Sequence, residues 1–163
     1  MTARTFTATE RRAHLLSSVS HGGAYTVKNL SATVEITIAT TVGRTILFGR
    51  IPSNARIAGC SRLYWDDLAT SGSPTLDVGL AAVNGNLANA DDPNALFDGG
   101  DISGAGTGAN VPTGIELIGL PAWDLVASET VDPGGELEVY GSMVDAPVNK
   151  AGTITLDLYY VVD

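Results

Sequence analysis

Five oxygen-bearing side chains, Asp91, Asp92, Asn94, Asp98 and Asp101, fall within eleven residues of one polar stretch. Calcium takes six to eight oxygen ligands, so this set is the best metal candidate in the sequence. The spacing lacks the EF-hand pattern and no Glu closes it, which leaves a solvated acidic loop as the competing reading. Two carboxylate pairs, Asp66/Asp67 and Glu136/Glu138, have the chemistry for acid and base roles in glycoside hydrolysis. Asp66 and Asp67 follow Tyr64 and Trp65, aromatics that would make a sugar platform. Glu136 and Glu138 stand two apart on one predicted strand, on its solvent face, where charges are expected. Neither pair has a visible neighbour to raise one pKa, so both read as structural.

Nucleophilic catalysis has even less support. A Ser or Cys nucleophile needs a base, and His14 and His21, the only histidines, both lie in an N-terminal stretch without strong periodicity. Cys60 sits among small and apolar residues and reads as a buried, inert thiol. No Cys/His spacing fits zinc. The glycines of Gly104–Gly108 match neither nucleotide-loop spacing, and no helix follows to supply an anion-binding N-terminus; a flexible tip is expected. Asn29-Leu-Ser31 is a glycosylation sequon with little meaning in a chain that shows no secretory signal. The expectation is a protein that is not an enzyme, with no cofactor unless the acidic stretch takes calcium.

The elements that must position these residues read as β throughout. The 163 residues suit one domain, and 44% hydrophobic content with 17% charged is enough for a core. Val34, Ile36 and Ile38 alternate within Thr33–Thr40, and Arg44–Ile51 follows the Val42-Gly43 turn. Ala55–Trp65 reads as one long strand with a bulge near Gly59 and Cys60. In Thr75–Val83, Leu76, Val78, Leu80 and Ala82 share a face; in Glu136–Val144, Leu137, Val139, Gly141 and Met143 do; in Thr153–Val162, Ile154, Leu156, Leu158 and Tyr160 do. Gly114–Leu120 and Ala122–Ala127 read as two short strands split at Pro121. The stretch Asn84–Pro112 is polar and rich in Gly, Asn and Asp. It reads as a long functional or interface loop with at most one helical turn near Pro93–Phe97. Asp132-Pro-Gly-Gly135 is a turn, because Pro presets φ and Gly accepts positive φ. The prediction is an all-β, antiparallel jelly-roll or β-sandwich of about eight strands over residues 23–163, preceded by an extended N-terminal arm, residues 1–22.

Charge is distributed unevenly. Through Arg62 there are eight Lys and Arg against Glu10 and Glu35; from Leu63 onward only Lys150 is basic, against sixteen acids. Such asymmetry marks either an interaction surface or acidic, solvated loops that keep the chain soluble. Nucleic-acid binding is disfavoured, since phosphate contacts need clustered Lys and Arg. No window approaches a membrane span, and a single cysteine rules out an intrachain disulfide framework, as expected of a protein made in a reducing cytosol.

The run TILFGRIPSNARIAGCSRLYWDDL, followed by SGSPTLDVGLA, resembles tailed-bacteriophage virion proteins encoded near the major capsid protein. The features that carry the resemblance are Ile51-Pro52, Ala55–Gly59, Thr75–Leu80 and the closing aliphatic-aromatic strand Thr153–Tyr160, about half the chain. The resemblance implies a jelly-roll cement or decoration protein on the outer capsid surface of the virion, made in the host cytoplasm. Its implied partners are the major capsid protein and further copies of itself, a trimer being compatible. On this reading Arg4, Arg11 and Arg12 of the arm dock on the shell, and the acidic part faces solvent or the next subunit. The alternative is a carbohydrate-binding module, such as a receptor-binding fibre or tail component, using Tyr64, Trp65 and the acidic stretch.

Overall fold

Alternation of apolar and polar side chains decides most of the strands, and their burial follows it. The structure, a computed structural model, describes residues 26–37, 41–83, 92–126 and 130–162. Within these lie β1 (Lys28–Ile36), β2 (Thr45–Pro52), β3 (Ala55–Ile57), β4 (Arg62–Trp65) and β5 (Thr75–Ala82). They are followed by β6 (Asp92–Asp101), β7 (Gly106–Asn110), β8 (Glu136–Val144) and β9 (Gly152–Val162). In β8 every second residue from Leu137 to Met143 is buried; in β9 Ile154, Leu156 and Leu158 are completely so.

All pairings are antiparallel and form two sheets. One runs β1-β9-β4-β7, with β3 also against β9; the other runs β2-β8-β5-β6. β3 and β4 take successive stretches of β9 and so fill one strand position, giving eight positions in all. Four pairs, β1·β9, β2·β8, β4·β7 and β5·β6, are nested in sequence like the rungs of one long hairpin. Winding that hairpin round adds the β4·β9 and β5·β8 pairs and yields the jelly-roll order. Between the sheets pack Ile51, Ile57, Leu63, Leu76, Leu80, Leu137, Met143 and Leu156, each worth about 1.5–3 kcal/mol of burial. Ser53 and Ser61 are the buried polar residues among those described.

Three sequence expectations are corrected. Ala55–Trp65 is broken into two strands by a turn at Ala58–Ser61. The expected 84–112 loop holds two strands from Asp92 to Asn110. β6 survives its Pro, Asn and Gly content because it lies at a sheet edge, paired only with β5, and buries Ala95, Leu96 and Phe97 in a row. Gly114–Leu120 and Ala122–Ala127 are not strands: Ile115–Leu117 and Ala122–Leu125 are 3-10 turns, and 127 lies outside the described residues. Ala122 and Leu125, three apart and both buried, fit the three-residue period. The expected turns formed: Gly43 takes φ 80°, and Gly134 and Gly135 take φ 70° and 76°.

Candidate functional site

The carboxylates at the end of β4 are structural. Asp66 Oδ2 accepts hydrogen bonds from the Thr153 amide at 2.7 Å and the Thr153 hydroxyl at 2.9 Å. Asp67 Oδ2 accepts from Lys150 Nζ at 2.6 Å. The Thr153 amide bond foremost, and the Lys150 bond for Asp67, hold both groups below the usual carboxylate range. Both therefore stay ionised, and neither is primed to donate a proton. Together they tie the end of β4 to the turn that opens β9. Asn149 completes the tie by accepting from the Thr70 amide at 2.7 Å and donating to the Ser71 carbonyl at 2.9 Å.

The proposed sugar platform is not assembled. Trp65 packs toward the core, its ring 6.1 Å from that of Phe97, and its Nε1 donates to the Gly104 carbonyl at 2.9 Å. Tyr64 stands on the opposite face of β4, against Gly108. A Cβ at Gly106 would lie 2.3 Å from Trp65 Cε2 and one at Gly108 would lie 2.8 Å from Tyr64 Cε1. The Gly104–Gly108 run is thus room made for two aromatics, where the sequence had read a flexible tip. Cys60 is also corrected: it is exposed on the Ala58–Ser61 turn, not buried in a strand.

Of the acidic set, Asp92, Asn94, Asp98 and Asp101 are strung along β6, and Asp91 lies outside the described residues. An extended strand separates its ligands, and among the described residues no group of three or more His, Cys, Asp or Glu side chains is placed to hold a metal ion. Arg4, Arg11, Arg12, His14 and His21 also lie outside the described residues. No helix among the described residues is long and apolar enough to cross a membrane.

What the fold does assemble is two unlike outer faces. On the five-stranded sheet Ser31, Thr33, Thr153, Thr155 and Tyr159 form a hydroxyl-rich surface that also carries the carboxylates of Glu35 and Asp157. Ser31 Oγ donates to Asp157, and the Thr33 and Thr155 hydroxyls lie 2.9 Å apart. Arg56 and Arg62 stand at the margin of that face. The outer face of the other sheet carries Asp77, Glu136 and Glu138, with Arg50 held by Glu138 at 2.8 Å. Burial, then the charges of Asp98 and Asp145, push the Asp77 carboxyl above its ordinary value of 3.8 despite a hydrogen bond from the Gly99 amide.

The Asp77 shift has a measurable consequence. A carboxyl whose pKa is higher in the folded state opposes folding once it ionises, and the penalty disappears below its unfolded value. Asp77→Asn should therefore melt at a higher temperature than wild type at pH 7, with the difference vanishing as pH falls below about 3.8. Asp66 and Asp67 act oppositely: their contribution is present above that pH and lost as acid protonates them. Melts across pH 3–8 (roughly the carboxylate range and above) separate the two behaviours.

The chain is similar to chains of two phage capsids. Against a chain of the capsid asymmetric unit of cyanophage Pam1 the TM-score is 0.60 at 20% identity, covering 100% of this chain and 93% of that one. Against a chain of the capsid of Ralstonia phage GP4 the TM-score is 0.60 at 26% identity, covering 86% of each. The first likeness is one of fold; the second adds sequence. No protein-family model and no curated protein matches the chain.

Proposed function

We propose that this chain is a non-enzymatic cement or decoration subunit of a phage head, bound to the outer face of the shell. Its likeness to chains of two phage capsids supports a virion structural protein, as does the resemblance carried by Ile51-Pro52 and Thr75–Leu80. The observation that carries the more specific reading is the division of the faces. A hydroxyl-rich face that bears Arg56 and Arg62 together with Glu35 and Asp157 backs onto a more acidic face bearing Asp77, Glu136 and Glu138 beside Arg50. The arm bearing Arg4, Arg11 and Arg12 leads into β1, an edge strand of the hydroxyl-rich sheet. In this reading the arm and that sheet meet the major capsid protein, while the acidic face meets solvent. Tyr64 and Trp65 point to opposite faces, so a glycan platform gains no support from the geometry.

Co-sedimentation of the purified protein with empty phage shells tests this, scored by occupancy with and without residues 1–22. Saturable, arm-dependent binding is the expected result, and absence of binding to any shell overturns it. Reversing the arm charges, Arg4→Glu, Arg11→Glu and Arg12→Glu together, should weaken attachment on the order of tenfold or more at low salt, and less as salt screens the interaction. Unchanged occupancy would reject the arm as the anchor while leaving the face to be tested.

A further inference from the structure

At the margin of the hydroxyl-rich sheet, the turn between β3 and β4 meets the segment that follows β7. Gly59, Arg62, Asn110, Pro112, Thr113, Ile115 and Ile118 line a hollow of about 270 Å³ there. Ile118 lines it beside Gly59, its Cδ1 so near that a Cβ on that glycine would lie 2.7 Å away. Ile115 is left 83% exposed at the rim, the most exposed large hydrophobic side chain among the described residues. A lone exposed aliphatic is ordinary on a protein surface; one presented beside a hollow that Pro112 and Ile118 line together with Arg62, Asn110 and Thr113 is less so.

The backbone of this segment is tied down by hydrogen bonds. Leu117 and Ile118 amides donate back to Gly114 and Ile115 carbonyls at 3.1 and 3.3 Å, forming the 3-10 turn that presents Ile115. The Gly119 amide donates to the Ile57 carbonyl at 3.0 Å, and Arg56 Nη1 to the Gly119 carbonyl at 2.9 Å. Thr113 is anchored to the Leu96 carbonyl at 3.0 Å. A side chain presented from backbone that is already ordered spares that part of the entropy cost on binding, which helps an exposed apolar residue in an interface.

The patch carries charges of both signs, neither of them in an ion pair among the described residues. Arg62 Nη1 is committed to the Gly59 and Ser61 carbonyls at 3.0 and 2.8 Å, which fixes the guanidinium and leaves its other nitrogens for an outside acceptor. No carboxylate pairs with Arg62 among the described residues, and none of them takes up the exposed Glu116 beside Ile115. One patch therefore carries a knob and a hollow, a cation, Arg62, that lies across the ladder from Asp157 without an ion pair to it, and an exposed anion, Glu116. Such a surface is complementary to itself, the condition for a repeated contact between identical subunits.

We infer that the partner at this hollow is a second copy of this chain, with Ile115 of one copy seated in the hollow of the next and Glu116 set against Arg62. This gives a surface to the self-association that the family resemblance implies, and it does not depend on attachment to a shell.

Sedimentation velocity of the full chain over a concentration series, at physiological salt, reads the contact directly. Wild type should form a concentration-dependent oligomer, and Ile115→Asp should raise its dissociation constant at least about tenfold. Because Ile115 is exposed, that variant should melt with wild type. Arg62→Glu and Glu116→Arg should each weaken the oligomer, and the double exchange should restore it in part, an outcome that a fold defect cannot mimic. A wild-type chain that stays monomeric throughout, or an Ile115→Asp chain with unchanged mass, overturns the inference. So does an Ile115→Asp chain of unchanged mass that loses shell binding, since the patch would then belong to the shell. Full shell binding by a monomeric Ile115→Asp variant keeps both readings; a wild-type oligomer that binds no shell keeps only this one.

Discussion

Replacing Gly79 with alanine is expected to cost about 3 kcal/mol or more of stability, the largest effect of a methyl group added at any described glycine. Gly79 lies in β5, a central strand between β8 and β6, and is itself buried. A Cβ there would stand 2.1 Å from the Asp92 carbonyl oxygen and 2.4 and 2.5 Å from the Pro93 carbonyl carbon and Cα. All three are backbone atoms, so no rotamer change relieves the contact. Pro93 has a fixed φ, which limits how the opening of β6 can yield. The relief available is to push β6 away from β5, breaking the register that sets Leu80 against Asp92. Gly104→Ala is the control: nothing lies within 4 Å of its Cβ position, and the change should fall within about 0.5 kcal/mol of wild type. Urea unfolding of the two variants decides the matter, and a Gly79→Ala midpoint close to wild type would refute the close-approach argument.

That glycine also shows where the sequence stops being legible. Strands with one wet face announce themselves, so the inward sets of β5, β8 and β9 could be read from alternation alone. β6 and β7 could not. DPNALFDGGD and GTGAN have the composition of loops, and they are strands because β5 and β4 supply partners and because edges tolerate Pro and Gly. Their glycines encode the shapes of neighbours distant in sequence, Trp65 and Tyr64 for β7, and such information has no local signature. The 3-10 turns misled for the opposite reason. Ile115, Glu116 and Leu117 alternate as a strand would, while the backbone closes on itself in the segment after Pro112.

The site was legible only in outline. The excess of Lys and Arg before Leu63 and of acids after it suggested a charge division, but the fold mixes the signs: Arg56 and Arg62 share a face with Glu35 and Asp157, and Arg50 shares one with Glu136, Glu138 and Asp77. The aromatic pair Tyr64-Trp65 misled because neighbours in a strand face opposite ways, which the period of two already implies. Ile115 and Ile118 drew no notice as candidates. An exposed isoleucine differs from a buried one only through tertiary contacts, and here those contacts come from the Ala58–Ser61 turn, which the sequence had read as unbroken strand.

Ser61→Ala should lower stability by about 2 kcal/mol, and the reason lies in how that turn is made. Four residues, Ala58 to Ser61, oppose only Leu158 and Tyr159 on β9, because Ile57 pairs with Tyr160 and Arg62 with Asp157. Two surplus residues interrupt the ladder, and the Tyr159 amide would face no carbonyl. Ser61 Oγ takes that place, accepting from the Tyr159 amide at 2.9 Å, and its own proton has the Ala58 carbonyl at 2.8 Å as the nearer acceptor. Ser61 is completely buried, so in the alanine variant no water replaces the hydroxyl and the amide is left unpaired. For a chain of this size the loss corresponds to a fall of about 4–8 °C in Tm. Ser142→Ala, on the outer face of β8, should be near neutral by comparison. A melt of Ser61→Ala indistinguishable from wild type would mean that the break is held by something else. If the hydroxyl does hold it, one buried oxygen fixes the turn from which Gly59 and Arg62 line the hollow, and Ser61→Ala should weaken self-association even where the chain remains folded.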